Sequence, residues 1–416
     1  MKIAIIGGGA SGLSAAYLLQ NAHEVHVFER APLLGGHVRT LNGNVASGVI
    51  PKGIAVEMGV LGFHKASYPN FHKLMTHLGV ELGVGQPTSS LYRSGEYFPS
   101  LPEGLMSLAT VFNVLRSPSY GKRISQLRSA YRETFKPLLD HDVAKDAALK
   151  DLLRGPKHVQ NFVQSLAALA FSTPYDQAGD LPSSMVVPYL RAIRGGREPD
   201  WSYVRGGVYR YMEALLKDAR FQTHIGVGDV KLRRENEQVQ LQADGQEQVF
   251  DTAVIATSPG QVAAILQDQD ETERQWFGDW SDQGFGITAH TDMSIYGRYA
   301  ATQKTPMDLF VNHNGKARGY NTYMNGFYGL DSSTPYSFAH GLDGLIDPSQ
   351  VLDKISHTVP VYSVAAMAQR DAVRRHNGYR QIYYAGAYLG NGLHEGAISS
   401  AMVVSELLGG LRISSR

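Results

Sequence analysis

Lys2 to Ile6 is a short apolar run that stops at a glycine, and its length and β-branched content predict a buried parallel strand. Gly7 to Gly12 follows as a turn. From Ser11 to Gln20 the residues Leu13, Ala15, Ala16, Leu18 and Leu19 recur at helical spacing. Glu24 to Glu29 then alternates around Val25 and Val27 and closes on an acid, so the opening of the chain predicts strand, turn, helix, strand. A further helix is predicted from about Tyr68 to Leu78, with Phe71, Leu74, Met75 and Leu78 on one side and Gly79 as its stop.

Residues 88 to 204 hold helical stretches at Glu103 to Leu115, Gly121 to Phe135 and Gln160 to Phe171, separated by Pro and Gly, and predict a largely helical insertion. Leu101 to Leu115 is apolar nearly all round, which suits burial, the wall of a tunnel for a lipophilic molecule, or contact with a membrane. Gly206-Gly207 opens another helix through Leu216. Thr223 to Val227, Val230 to Arg233, Gln238 to Ala243 and Gln248 to Phe250 then predict a small antiparallel sheet, and Ala253 to Ala256 a buried strand. Residues 284 to 340, rich in Tyr, Thr, Asn, His and Gly, suit twisted strands. Gln381 to Ala385 returns to a strand, and Ala397 to Leu408 is a closing helix. No repeat or low-complexity linker divides the chain, so two discontinuous domains are expected: 1–75, 205–265 and 375–416 in one, 76–204 and 266–374 in the other.

Composition narrows the chemistry. Thirty-nine basic and thirty-eight acidic residues leave a formal charge of +1, with no global field to gather nucleic acid. The absence of cysteine removes disulfides, thiolate metal sites and a cysteine nucleophile. The apolar start is too short for a signal peptide or membrane span, so a cytoplasmic protein with no transmembrane segment is expected. His64, His72 and His77 miss the spacing of a helical metal site, and no metal is expected.

Gly7-Gly8-Gly9-Ala10-Ser11-Gly12 satisfies G-x-G-x-x-G between the first strand and the first helix. Gly7 permits the tight turn, Gly9 lets the backbone approach a pyrophosphate, and Gly12 lets the helix sit close to the strand. The helix start offers free N–H groups and a positive dipole end to phosphate. Glu29 stands where a carboxylate accepts hydrogen bonds from an adenosine ribose. These features are common to NAD and FAD sites.

Beyond the acid, Glu29-Arg30-Ala31-Pro32-Leu33-Leu34-Gly35-Gly36-His37-Val38-Arg39-Thr40 resembles the flavin amine oxidase and phytoene desaturase superfamily, which carries a second glycine pair here. The resemblance continues at Val56-Glu57-Met58-Gly59, Arg205-Gly206-Gly207, Val230, Ala256-Thr257-Ser258-Pro259, and Tyr384 to Tyr388 followed by Gly392 to Ala397. Tyr68 to Phe71, Ala289-His290-Thr291-Asp292 and Gly386 to Gly390 are most similar to a bacterial group of amine oxidase-like NAD/FAD-binding proteins, some of them like the flavin domain fused to plant cyclopropane fatty acid synthases. Two positions depart from the pattern: Ala387 replaces a common aspartate, and Gly396 replaces an acid after His-Glu.

The resemblance implies an α/β fold, a Rossmann-type FAD-binding domain of the GR2-like kind with a discontinuous α+β substrate domain. It implies FAD contacts from Gly7, Gly9, Ala10, Ser11, Gly12, Glu29, Arg30, Gly35, Gly36 and His37, then from Met58, Gly59 and Val60, then Val230 and Thr257, and finally Gly386, Ala387, His394, Glu395 and Ala397. In the resemblance the amides around Glu395 to Ala397 face the flavin O2 edge. Tyr388, His394 and Glu395 are the candidates for substrate contact or catalysis. Amine oxidases commonly use a lysine that holds a water at the flavin, and no motif anchors one here; Lys304 and Lys316 are only near the right portion of chain. The expected activity is hydride transfer from a C–H bond beside nitrogen or carbon of a small molecule to flavin N5, with O2 or another acceptor completing the cycle. A desaturase or other redox enzyme acting on a lipophilic substrate is one alternative. A non-redox isomerase or mutase is another.

Overall fold

The computed structural model describes residues 1–85, 89–93, 96–99, 128–194, 201–297, 306–311 and 317–413. The predicted helix Glu103 to Leu115, the apolar stretch from Leu101, the first part of Gly121 to Phe135, Lys304 and Lys316 lie outside these residues. Two compact units are formed, one from Met1–Val84, Trp201–Phe285 and Ile355–Arg416, the other from Gly85–Asp200 and Gly286–Lys354.

The first unit is built on β1 (Lys2–Ile6), α1 (Ala10–Leu19), β2 (Glu24–Glu29), β3 (Thr40–Leu41), β4 (Val56–Glu57), α2 (Pro69–Leu78), α3 (Tyr209–Lys217), β5 (Gln222–Ile225), β6 (Thr252–Ile255), the later part of β7 (Val351–Pro360), β8 (Ile382–Tyr384) and α4 (His394–Leu407). Five strands form a wholly parallel sheet in the order β5-β2-β1-β6-β8. Ile3, Ala4 and Ile5 are fully buried in its centre, as are Ala253, Val254 and Ile255 beside them, which is why these strands read as unbroken apolar runs. α4 packs on α1, whose Leu13, Ala15 and Ala16 are fully buried. α2 begins with Pro69 at its first turn and ends at Gly79, whose φ of 66° places it in the left-handed region as the helix stop requires.

One strand differs from the sequence expectation. The sequence pattern places Thr223 to Val227 in the small antiparallel sheet, whereas Gln222–Ile225 pairs in parallel with β2, in register from Gln222 with His26 to Ile225 with Glu29. The His224 ring stacks on Phe28 at 4.5 Å between centroids and supplies the local packing for that partner. The small sheet comprises Lys231–Glu235, Gln238–Ala243 and Gln246–Phe250.

The second unit contains most of a seven-stranded sheet, in the order Val351–Pro360, Asp282–His290, Ser337–His340, Ala317–Tyr323, Met307–Val311, Ser89–Arg93 and Glu96–Pro99. Helix Lys157–Ala170 packs against Ala317–Tyr323, and Ser183–Arg194 carries Pro188 within it. The expected helical insertion therefore opens with a strand pair, Ser89–Arg93 and Glu96–Pro99, the first of which pairs in parallel with Met307–Val311. A partner more than two hundred residues away sets that pairing, and local periodicity carries no trace of it. Among the described residues no helix is long and apolar enough to cross a membrane.

Candidate functional site

The ends of β1, β6 and β8 emerge side by side, because neighbouring parallel strands deliver their carboxyl ends to one edge. Gly7, with φ of 111°, turns there: its amide donates to Phe28 O at 2.8 Å, and a Cβ on it would lie 2.8 Å from Ala256 O and 3.4 Å from Thr257 Cγ2. A Cβ on Gly386 would reach within 3.7 Å of Thr257 O. Gly7, Thr257 and Gly386, spread over the whole sequence, are thus neighbours.

A Cβ on Gly12 would overlap the carbonyl oxygen of Gly7, so this glycine is demanded by packing. Gly9 is different, since a Cβ there would meet only Gly36 Cα, at 3.6 Å. That is an ordinary van der Waals contact, so protein packing by itself tolerates a small side chain at Gly9. No side chain caps α1 at Gly9, so Ala10 and Ser11 begin a helix whose first amides are free for an anion. Glu29 accepts the Gly8 and Ala31 amides through different oxygens, each at 2.7 Å. Each carboxylate oxygen retains a second lone-pair direction. Arg30 is exposed, 3.9 Å from Asp229, and Val230 beside that aspartate is buried.

The second glycine pair crosses the first loop. Gly35 N donates to Gly8 O at 2.8 Å, and Gly36, at φ of 59°, approaches Gly9 so closely that a Cβ on it would lie 2.9 Å from Gly9 Cα. His37 is exposed. A Cβ on Gly59 would overlap His37 O, so Met58, Gly59 and the half-buried Val60 run directly beside this segment.

Glu57 is buried beneath, where it accepts the Val208 amide at 2.7 Å and the Thr40 hydroxyl at 2.7 Å. Burial pushes its carboxyl up to about 8, against the pull of those two donors. Gly206 and Gly207 have φ of 77° and 102°, and a Cβ on Gly207 would lie 3.3 Å from Glu57 Oε1. The sequence pairs Val56-Glu57 with Gly206-Gly207 only as separate motifs. In the fold the acid holds the start of α3.

The C-terminal candidates separate into different roles. Glu395 accepts Asn70 N at 3.0 Å and Asn70 Nδ2 at 2.7 Å on one oxygen, and Phe71 N at 2.9 Å on the other, so its carboxylate caps the start of α2. Tyr388 is buried in an aromatic group with Trp280, at 5.5 Å, and Phe277, at 6.4 Å. A Cβ on Gly386 would come within 2.5 Å of its ring, so Tyr388 sits as a packing residue under the glycine turn. His394 is half-buried; its Nε2 lies 2.6 Å from the Tyr211 hydroxyl, and its ring contacts Phe63, Phe71 and Tyr211 at 5.6 to 5.8 Å. Burial lowers it to about 3 and holds Tyr211 protonated, so the pair is neutral.

One departure from the family pattern, Gly396, has a structural setting. A Cβ on Gly396 would come 2.5 Å from Ala387 O and 3.0 Å from Asn391 N, leaving no room for an acid. Gly396 N is already engaged with Leu393 O and Asn391 Oδ1, and Ala397 N with Leu393 O, so the amides of His394 and Glu395 lead the helix start. Asn391, Tyr211 and Asn70 are participants the sequence reading did not single out for these tasks; Asn70 stands inside a noted motif, but its partner is 325 positions away. The three histidines of the early segment have separate partners: His64 contacts Trp201, His72 reaches Ser202 Oγ at 3.3 Å, and His77 reaches the Tyr17 hydroxyl at 3.2 Å.

A parallel βαβ unit with two crossing glycine loops at its carboxyl edge defines a Rossmann-type dinucleotide-binding unit. The chain belongs to the family of flavin-containing amine oxidoreductases, whose family model matches residues 10–278. A zeta-carotene desaturase of Capsicum annuum is 30% identical over 157 residues, which is 36% of this chain and 25% of that protein. The match therefore spans about a quarter of the desaturase. Cyclohexylamine oxidase from Brevibacterium oxydans IH-35A is 14% identical and superposes over 98% of this chain and 99% of its own, with a TM-score of 0.65. The CLA-producing fatty acid isomerase from P. acnes is 16% identical over 98% and 97%, also at 0.65. The two solved structures share the fold.

Proposed function

We propose that this enzyme oxidises a small molecule at a C–H bond beside nitrogen or carbon, with FAD taking the hydride at N5 and O2 or another acceptor reoxidising it. The supporting observation is the convergence of Gly7, Gly9, Gly36, Thr257 and Gly386 on one edge of the parallel sheet, at the uncapped start of α1. In this reading Gly7 to Gly12 and the start of α1 receive the pyrophosphate, and Glu29 takes the ribose on its spare lone pairs, with Arg30 and Val230 on the adenosine side. Gly35, Gly36, His37, Met58, Gly59, Val60, Thr257, Gly386 and Ala387 line the path toward the flavin. The first amides of α4, at His394 and Glu395, give negative charge a place to rest.

Of the three catalytic candidates, His394 is the one we assign to the substrate side. Glu395 and Tyr388 act in this reading by holding α2 and the Gly386 turn. His394 offers a neutral, polar edge among Phe63, Phe71 and Tyr211. That setting favours an apolar or uncharged reacting group over an ammonium ion, and so supports carbon–carbon chemistry on a lipophilic substrate as the second reading.

Anaerobic mixing of the holoenzyme with primary amines and, separately, with unsaturated fatty acids and polyenes decides between these. Bleaching of the flavin by an amine supports the C–N reading, and bleaching by an apolar substrate the C–C reading. Product formation without bleaching would replace both with an isomerase. Hydrogen peroxide formed in air identifies O2 as the acceptor.

A further inference from the structure

Three segments of the first unit, far apart in sequence, are tied by a pair of histidines. His37 follows the second glycine pair, and its Nε2 lies 2.8 Å from the carbonyl oxygen of Thr358 on β7. His357, one residue earlier on β7, has its Nε2 2.6 Å from the carbonyl oxygen of Met58. A carbonyl oxygen only accepts, so each ring carries its proton on Nε2, and the neutral ring presents Nδ1 as a lone pair. The rings meet edge to face with centroids 5.0 Å apart.

The two bonds run in opposite directions. The glycine loop reaches to β7, and β7 reaches back to the segment after β4. Met58 N is held by Arg39 O at 2.8 Å, and Gly59 packs so tightly on His37 O that only glycine fits, with its would-be Cβ 3.3 Å from His357 Nε2. His357 is buried, and burial together with the nearby His37 lowers it to about 4, so it remains an uncharged donor at neutral pH. Loss of its ring would strand a Met58 carbonyl oxygen inside the protein.

We propose that His37 and His357 are positioning residues for FAD, whose crossed bonds lock the Met58-Gly59 backbone against the Gly36-His37 backbone and so fix the shape of the cofactor's bed. The inference rests on the reading that Met58 and Gly59 line the FAD site. His357 acts through the backbone it holds, and its part is separable from the glycine motifs, which bring the same segments near by close packing.

FAD titrated into apoprotein of wild type, His357→Leu and His357→Gln tests it, with the visible spectrum of each bound flavin recorded. Hydrogen exchange at residues 58–60 of the wild type, with and without FAD, tests the underlying reading separately. His357→Leu is expected to bind FAD about tenfold more weakly, the loss that one hydrogen bond brings, with a shifted flavin spectrum. His357→Gln, which keeps an N–H donor, should recover most of both. A purely structural histidine would lower the apoprotein's melting temperature and leave affinity and spectrum unchanged. If FAD protects residues 58–60 and His357→Leu still binds with unchanged affinity and spectrum, the inference is overturned while the site stands. If FAD gives no protection there, the reading beneath it fails as well. Should His357→Leu fail to fold, His37→Leu reads the same bed from the other bond, and normal FAD binding in that variant overturns the proposal.

Discussion

The carboxylate of Glu57 accepts the backbone N–H of Val208 at 2.7 Å across 151 positions of sequence, and Thr40 donates its hydroxyl to the same carboxylate. Burial raises the folded pKa to about 8 from an ordinary 4.5, so over the interval between these values the native state holds a proton that the unfolded chain releases. The stability contributed by Glu57 is therefore complete below about pH 4.5 and is lost as pH rises through about 8. The melting temperature of wild type relative to Glu57→Gln should fall across that interval. A difference constant with pH would show that the carboxyl does not titrate there.

Gly9 and Gly12 should fail in different ways. A methyl on Gly12 overlaps Gly7 O, so Gly12→Ala should cost about 1–3 kcal/mol of stability from overpacking. A methyl on Gly9 makes only an ordinary contact with Gly36, so Gly9→Ala should melt like wild type as apoprotein and bind FAD weaker by an order of magnitude or more. Unfolding titrations and FAD titrations of the two apoproteins separate the cases; Gly9→Ala with full FAD affinity would remove the pyrophosphate from this loop.

Glu395 serves three donors at the start of α2, two of them backbone amides. Glu395→Ala should lower stability by about 1–3 kcal/mol, the cost of stranding groups bonded to a buried charge. Flavin reduction per folded molecule should change little. Unchanged denaturant stability combined with abolished reduction would make Glu395 a catalytic group instead.

His394 is lowered to about 3 from an ordinary 6.5 by burial. The unfolded chain takes up a proton here that the native state refuses, so stability is present above about pH 6.5 and is lost as pH falls toward about 3. Wild type should lose stability relative to His394→Gln over that acid range. The rate of flavin reduction should show no limb near 6.5 that vanishes in the variant; finding one would mean that His394 ionises in the working enzyme.

Much of the first unit was legible because its signals are local. The run Lys2 to Ile6, the G-x-G-x-x-G turn and Glu29 define one βαβ unit within a single stretch of chain, where periodicity and glycine chemistry suffice. The sequence places Thr223 to Val227 in the wrong sheet, because alternation of side chains defines a strand without naming its neighbour. Ser89–Arg93 was hidden for the same reason. His394 and Glu395 are both candidates for catalysis by sequence, yet adjacent residues at a helix start point about 100° apart, and one turns to Tyr211 while the other caps α2.

The sequence by itself determined the Rossmann-type dinucleotide unit and the glycines it requires, since each depends on backbone freedom at fixed local spacing, while FAD followed from the resemblance carried by the second glycine pair and the C-terminal segment. Tertiary structure decided which charges and rings meet: Glu57 with Val208, Glu395 with Asn70, His37 with Thr358, and His357 with Met58. Those pairs join segments separated by 151 to 325 positions, and hydrogen bonds of about 3 Å are formed by the folded path of the chain, which no local pattern encodes.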